Sequence, residues 1–204
     1  MFKINQYCQC SCIYCLKPFT VFNNLYDFIS PDFYLCKQCK NNLIYRPIKI
    51  YMNDLVVSCL YQYNDFFSSI FNRYKRYGDL ILAKWLKKQH SIPFYYQQIQ
   101  VPSSIKAKEE RGFNHLKLIY PKSIEVFLKN DFYVQKNSRL FKRKQICFEL
   151  KSNINLSDRV CLVDDVITTG SSILEAKRLI PQIKKSYVIC YHPLLLKQYR
   201  YRKI

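Results

Sequence analysis

The stretch Val160–Ser172, VCLVDDVITTGSS, narrows the fold more than any other part of this 204-residue chain. Four apolar residues, Val160 to Val163, read as a strand. Two adjacent carboxylates, Asp164 and Asp165, follow, then a hydroxyl-rich turn around Gly170, then a helical pattern that begins near Ser171. Strand, turn and helix in that order belong to the α/β class, in which ligands collect beyond the carboxyl ends of the strands.

The chemistry of the turn suits an anion. Backbone N–H groups of Thr168 to Ser172 open a helix whose positive dipole end faces the loop. The hydroxyls of Thr168, Thr169, Ser171 and Ser172 add donors, and Gly170 admits a close backbone approach and dihedrals closed to other residues. Asp164 and Asp165 can accept hydrogen bonds from the 2- and 3-hydroxyls of a ribose, or hold Mg²⁺ through waters. A ribose phosphate satisfies both ends of this arrangement. The chain has only three glycines, Gly78, Gly112 and Gly170, so one placed here is not background usage. A solvated strand end followed by a capped turn is the bland alternative; the joint occurrence of strand, acids, hydroxyl loop and helix favours the ligand.

Elsewhere strand and helix patterns alternate. Val56 to Tyr63 reads as a strand, Asp65 caps a helix through about Tyr77, and Asp79 caps a second through Lys88. Ile99 to Pro102 is a short strand, Phe113 to Leu128 a helix, Phe132 to Lys136 a strand and Tyr187 to Tyr191 a late strand. Such alternation implies a doubly wound parallel sheet.

Ten cysteines demand a separate explanation. The start, MFKINQYCQC, lacks an apolar core, and no run approaches the roughly 18 residues that span a bilayer. A cytoplasmic location follows as the expectation, and clustered cysteines there read as metal ligands rather than disulfides. Cys12 and Cys15, then Cys36 and Cys39, form two Cys-x-x-Cys pairs with the spacing of a four-thiolate Zn²⁺ site. Lys17, Lys37 and Lys40 lie near enough to offset its negative charge. Spacing leaves open whether Cys8 or Cys10 replaces one of the four; an iron–sulfur cluster fits less well. Cys59, Cys147, Cys161 and Cys190 read as small buried hydrophobes. The expected division is a zinc-binding module over residues 1–48, too small for a large core and folded mainly by its metal, and a second domain over 49–204.

The formal net charge is +19, from 33 Lys and Arg against 14 Asp and Glu, which favours polyanionic partners. Basic groups interleave with aromatics at Arg73-Tyr74-Lys75-Arg76-Tyr77, at Phe141-Lys142-Arg143-Lys144 and along the tail Lys197 to Lys203. Single-stranded DNA is bound by that combination of phosphate-seeking charge and stacking rings. A solvated surface is the alternative for any one cluster. His90, His115 and His192 show no metal or triad spacing and read as structural or surface residues.

Four segments together carry a family resemblance: the Cys-x-x-Cys pairs, YKRYGD (Tyr74 to Asp79), VPSSIKAKEERGFNH (Val101 to His115) and VDDVITTGSS. Their order resembles that of the ComF family of competence proteins, and the last segment resembles the 5-phosphoribosyl 1-pyrophosphate (PRPP) signature of type I phosphoribosyltransferases. The resemblance implies a type I phosphoribosyltransferase-like domain behind a zinc module. It implies an accessory of natural transformation that handles incoming single-stranded DNA beside the DNA-uptake machinery. By order along the chain, Ser103 and Ser104 fall in the pyrophosphate loop, and Lys106 to Asn114 resembles the mobile loop over PRPP, with Arg111 as its ligand. Lys75 matches a lysine typical of the family. In a working transferase, Asp164 and Asp165 would be the catalytic carboxylates that hold the ribose of Mg²⁺-PRPP. A PRPP-sensing regulator without turnover is the third class the sequence allows.

Overall fold

The computed structural model describes residues 7–22, 35–103, 105–129, 148–152 and 154–204, with backbone alone for residues 7–9 and 20–22. Ser104, Lys142, Arg143, Lys144, Cys147 and the strand expected at Phe132 to Lys136 lie outside them. A hairpin of β1 (Tyr7–Ser11) and β2 (Pro18–Phe22) and a short helix α1 (Lys37–Asn41) come first. Then β3 (Ile44–Met52) turns tightly into β4 (Leu55–Gln62), with Asn53 in the left-handed φ of 55° that such a turn demands.

Helix α2 (Asp65–Tyr77) begins at Asn64, whose side chain accepts from the Phe67 N–H at 2.9 Å; Asp65, the expected cap, is the first helical residue. Gly78, at φ 67°, ends it, and Asp79 caps α3 (Leu80–Lys87) as its spacing predicts. After β5 (Gln97–Gln100), residues 105–111 form helix α4 (Ile105–Arg111), where the family resemblance suggests a loop. The long helix expected from Phe113 is only α5 (His115–Ile119), because Pro121 cannot continue the i to i−4 ladder; the chain then enters β6 (Phe127–Lys129), which pairs with β7 (Phe148–Leu150). The signature strand is β8 (Val160–Ile167), followed by α6 (Ser171–Leu179), β9 (Lys185–Tyr191), a 3-10 turn (Pro193–Lys197) and β10 (Arg200–Lys203).

The central sheet runs β10-β3-β4-β9-β8-β5. Its core is parallel, but β3 lies antiparallel to β4, and β10 antiparallel to β3, so the sheet is mixed rather than wholly parallel. The reason is the tight β3–β4 hairpin, which sequence periodicity did not reveal. The expected division between residues 48 and 49 falls inside β3.

Apolar residues fill both faces. Ile48, Ile50, Val57, Leu162 and Val188 pack with Ile173 and Ala176 of α6. Val163 and Ile189 pack with Phe67, Ile70 and Tyr74 of α2 and Leu82 and Leu86 of α3. Leu162 beside Val163, and Val188 beside Ile189, show the period-2 alternation that sends neighbours to opposite faces. Cys12, Leu35, Cys36 and Cys39 belong to the α2 side of this core. Cys59, Cys161 and Cys190 are buried, as expected.

Candidate functional site

Asp164 and Asp165 are neighbours on a strand, and they part company. Asp164 is half-buried and lines a pocket of about 80 Å³ together with Thr168, Thr169, Gly170, Ser171 and Ser172. Gly170 stands at φ 81° as the N-cap of α6, and a Cβ there would sit 2.1 Å from Met52 Cε. The positive φ favours glycine, and any Cβ there would also have to push aside the tip of the Met52 side chain. Thr168, Thr169 and Ser171 are exposed; the Thr169 and Ser171 hydroxyls meet at 2.9 Å, and the Ser171 N–H donates to Thr169 Oγ1 at 3.4 Å. The first intrahelical bond runs from the Leu174 N–H to the Gly170 carbonyl, so the N–H groups before Leu174 have no partner within the helix. One carboxylate, several hydroxyls and a helix start thus share one cavity.

Asp165 turns the other way and is buried. Its Oδ2 lies 2.6 Å from Lys75 Nζ on α2 and 3.2 Å from His115 Nε2 on α5. The opposite imidazole nitrogen, Nδ1, lies 3.1 Å from Arg111 Nη1 and 3.5 Å from Ser103 Oγ. Guanidinium can only donate, so Nδ1 accepts and Nε2 carries the proton towards Asp165. Burial would raise the Asp165 pKa, but Lys75 and His115 overcome it and hold the carboxyl well below the usual range. Burial lowers the His115 pKa, against the pull of Asp165 and with help from Lys75 and Arg111. Asp164 moves the opposite way: burial and the negative Asp165 raise it, and its bond from the Asp165 N–H at 2.9 Å only partly offsets them.

Lys75, Arg111, Ser103 and Asp165 come from three of the segments singled out in the sequence, and His115 joins them. His115, the last residue of the VPSSIKAKEERGFNH segment, reads from the sequence as structural or surface; the structure buries it against Asp165, a partner that the sequence did not indicate. A second polar group surrounds it. The Asn114 side chain caps α5, donates to Gln100 Oε1 at 2.8 Å and reaches Glu125, which also accepts from Lys108 at 2.6 Å.

The basic cluster of α2 is divided in role. Arg73 pairs with Asp79 at 2.7 Å, donates to the Tyr14 carbonyl and covers the Tyr14 ring at 5.1 Å, so it fastens the cysteine corner. Lys75 faces Asp165, which leaves Arg76 exposed at the helix end.

The sulfurs of Cys12, Cys15, Cys36 and Cys39 lie within 4.8 Å of one another, with Cys15 and Cys36 at 3.7 Å. Tetrahedral thiolates about 2.3 Å from a zinc ion stand about 3.8 Å apart, so the four fit a structural zinc site. Backbone N–H groups of Cys36 and Cys15 point to Cys12 Sγ at 3.3 and 3.5 Å. Burial raises the Cys12 thiol pKa, but these N–H groups outweigh it and bring the thiol down to about 6, towards the thiolate that a metal requires. Cys10 stands outside the four-sulfur cluster, and the side chain of Cys8 lies outside the described residues. Mg²⁺ finds no comparable nest: among the described residues the cysteines form the only such cluster, and Asp165 is taken up by Lys75 and His115. No helix among the described residues is long and apolar enough to cross a membrane.

No family model matches the chain. Two curated proteins do. Competence protein ComFC of Streptococcus pneumoniae is 26% identical over 135 residues, covering 60% of this chain and 60% of its own length. Competence protein ComFC of Bacillus subtilis is 26% identical over 132 residues, covering 58% of this chain and 55% of its own. The chain thus spans little more than half of the relatives it matches. Both matches, with the four-cysteine cluster where the family resemblance predicts it, support a ComF-family protein.

Proposed function

We propose that this protein is a cytoplasmic accessory of natural transformation that handles incoming single-stranded DNA and binds a PRPP-type ribose phosphate on a type I phosphoribosyltransferase-like domain. The observation that carries the ribose-phosphate half is the shared pocket of Asp164 and Thr168–Ser172 at the head of α6. Loop hydroxyls and helix N–H groups hold the phosphate, and Asp164 accepts from a ribose hydroxyl. Asp165 acts indirectly, fixing Lys75, His115 and Arg111 in place behind the strand. The DNA half rests on the net charge of +19 and on the competence role in the names of both relatives. Zn²⁺ on the four cysteines staples the N-terminal corner to α2.

Calorimetric titration tests the pocket. Wild type is expected to bind PRPP saturably, and Thr169→Val with Ser171→Ala to weaken it at least tenfold without loss of fold. Running the titration with and without Mg²⁺ shows whether the ion travels with the ligand. Absence of saturable binding to PRPP, ribose 5-phosphate and pyrophosphate would remove the ribose-phosphate reading.

A further inference from the structure

The α2 side of the central sheet is not covered along its whole length. On β3, Ile48, Ile50 and Met52 are fully buried, whereas Lys49 and Tyr51, which point the other way, remain partly open. On β4, Leu55, Val57 and Cys59 are buried while Val56 and Ser58 are half-buried, although β4 is an interior strand. On β9, Ser186 and Val188 are buried while Lys185 and Tyr187 are half-buried. The edge strand β10 is exposed throughout. On β3, β4 and β9 one face is therefore sealed and the other open, and the exposed β10 extends the open face at the sheet edge.

Strand register arranges the open side chains in two rows. Arg202 lies beside Lys49, Lys49 beside Ser58, and Ser58 beside Tyr187. Arg200 lies beside Tyr51, Tyr51 beside Val56, and Val56 beside Lys185. Each row thus carries two cations and one aromatic ring, with neighbours about 4.8 Å apart. The four strands contain no Asp or Glu. No ion pair with a described residue engages Lys49, Lys185, Arg200 or Arg202. The aromatic surface continues beyond Tyr187: Tyr96 stands 6.4 Å from it, Tyr95 stands 4.8 Å from Tyr96, and Arg159 covers Tyr95 at 5.5 Å.

We propose that this open sheet face is the seat of single-stranded DNA. The inference rests on the DNA-handling reading above and gives it a location, on the sheet face opposite α6. Lys49, Lys185, Arg200 and Arg202 meet phosphates, and Tyr51 and Tyr187 offer flat faces to bases. A cationic surface whose strands carry no acid suits a polyanion, and the exposed Tyr51 ring, with Tyr187 half-buried between His90 and Tyr96, favours a strand with unstacked bases over a duplex, whose base faces are hidden.

Fluorescence anisotropy with labelled oligo-dT, read across a salt series, tests this on the full chain. Lys49→Gln with Arg202→Gln is expected to weaken binding at least tenfold and to reduce the log–log salt slope by about 1.4, since each phosphate contact on a single strand contributes about 0.7. Tyr51→Leu is expected to weaken binding about tenfold at unchanged slope, and Tyr51→Phe to retain it. Circular dichroism melts matching wild type establish that each variant is folded. If wild type binds oligo-dT and both folded variants bind equally well, the face is overturned while the DNA-handling reading survives. If wild type binds no oligo-dT, both fall. Preference for duplex DNA, or for anionic vesicles, also overturns the face.

Discussion

Asp164 and Asp165 occupy consecutive positions on one strand and live in opposite worlds. Asp165 is enclosed, with Lys75 and His115 answering its charge. Asp164 borders a cavity whose other walls are loop hydroxyls. A strand changes face at every residue, so doubling an acid distributes one carboxylate to the interior and the other to the cavity. The pair is thus one structural group and one group free to meet a ligand.

The largest effect expected from breaking this contrast is in stability. Asp165→Ala strands Lys75 beside a buried space and is expected to destabilise the fold by about 3 kcal/mol in denaturant unfolding. Asp164→Ala is expected to cost less than about 1 kcal/mol; equal losses would erase the distinction. Gly170→Ala comes next, at about 2 kcal/mol, because the new Cβ meets Met52 and the backbone sits at positive φ. An unchanged stability there would mean that the Met52 side chain swings aside and the loop backbone adjusts without penalty.

Proton linkage provides a subtler test, and the two acids oppose each other. Asp165 has a depressed pKa, so its stabilisation is present above the unfolded carboxylate range and fades as pH falls towards its folded value. His115, also depressed, loses stabilisation as pH drops below the ordinary imidazole value, where the unfolded chain takes up the proton. Asp164 is raised, so its contribution is full at low pH and is lost as pH rises through its folded value. Asp164→Asn should remove the loss of stability that accumulates between the ordinary carboxylate value, about 4, and the folded value of about 8, and leave the curve below that window unchanged. Parallel curves would show that Asp164 titrates normally. The smallest expected effect is Ser171→Ala alone, within about 0.5 kcal/mol on stability, since its exposed hydroxyl meets the equally exposed Thr169 hydroxyl.

Local signals were readable in advance where chemistry is short-range. Gly78 and Asp79 marked a helix end and the next helix start, and the cysteine spacing marked the sulfur cluster. What escaped prediction depends on residues far apart in sequence. Pairing of Arg202 with Lys49 joins positions at opposite ends of the chain, so a segment that reads as a basic tail is an edge strand, and a row of charge on an open face could not be seen in either segment alone. His115 escaped because its partners, Asp165 and Lys75, arrive from other elements. Arg73 and Lys75 looked like one basic run with Arg76, yet helix geometry directs them to different inner neighbours.

Arg73 has a consequence for how the molecule comes apart. It holds the Tyr14 carbonyl while pairing with Asp79, and the Tyr14 hydroxyl and ring meet Ser69 and Phe66 on the same helix. A chain begun at Ile44 would strip these partners and bare the apolar flank that Cys12, Leu35, Cys36 and Cys39 now cover. Removing the metal from the four sulfurs should therefore not release a small independent bead. It should lower the melting temperature of the whole sheet-bearing body, with both halves lost in one cooperative transition.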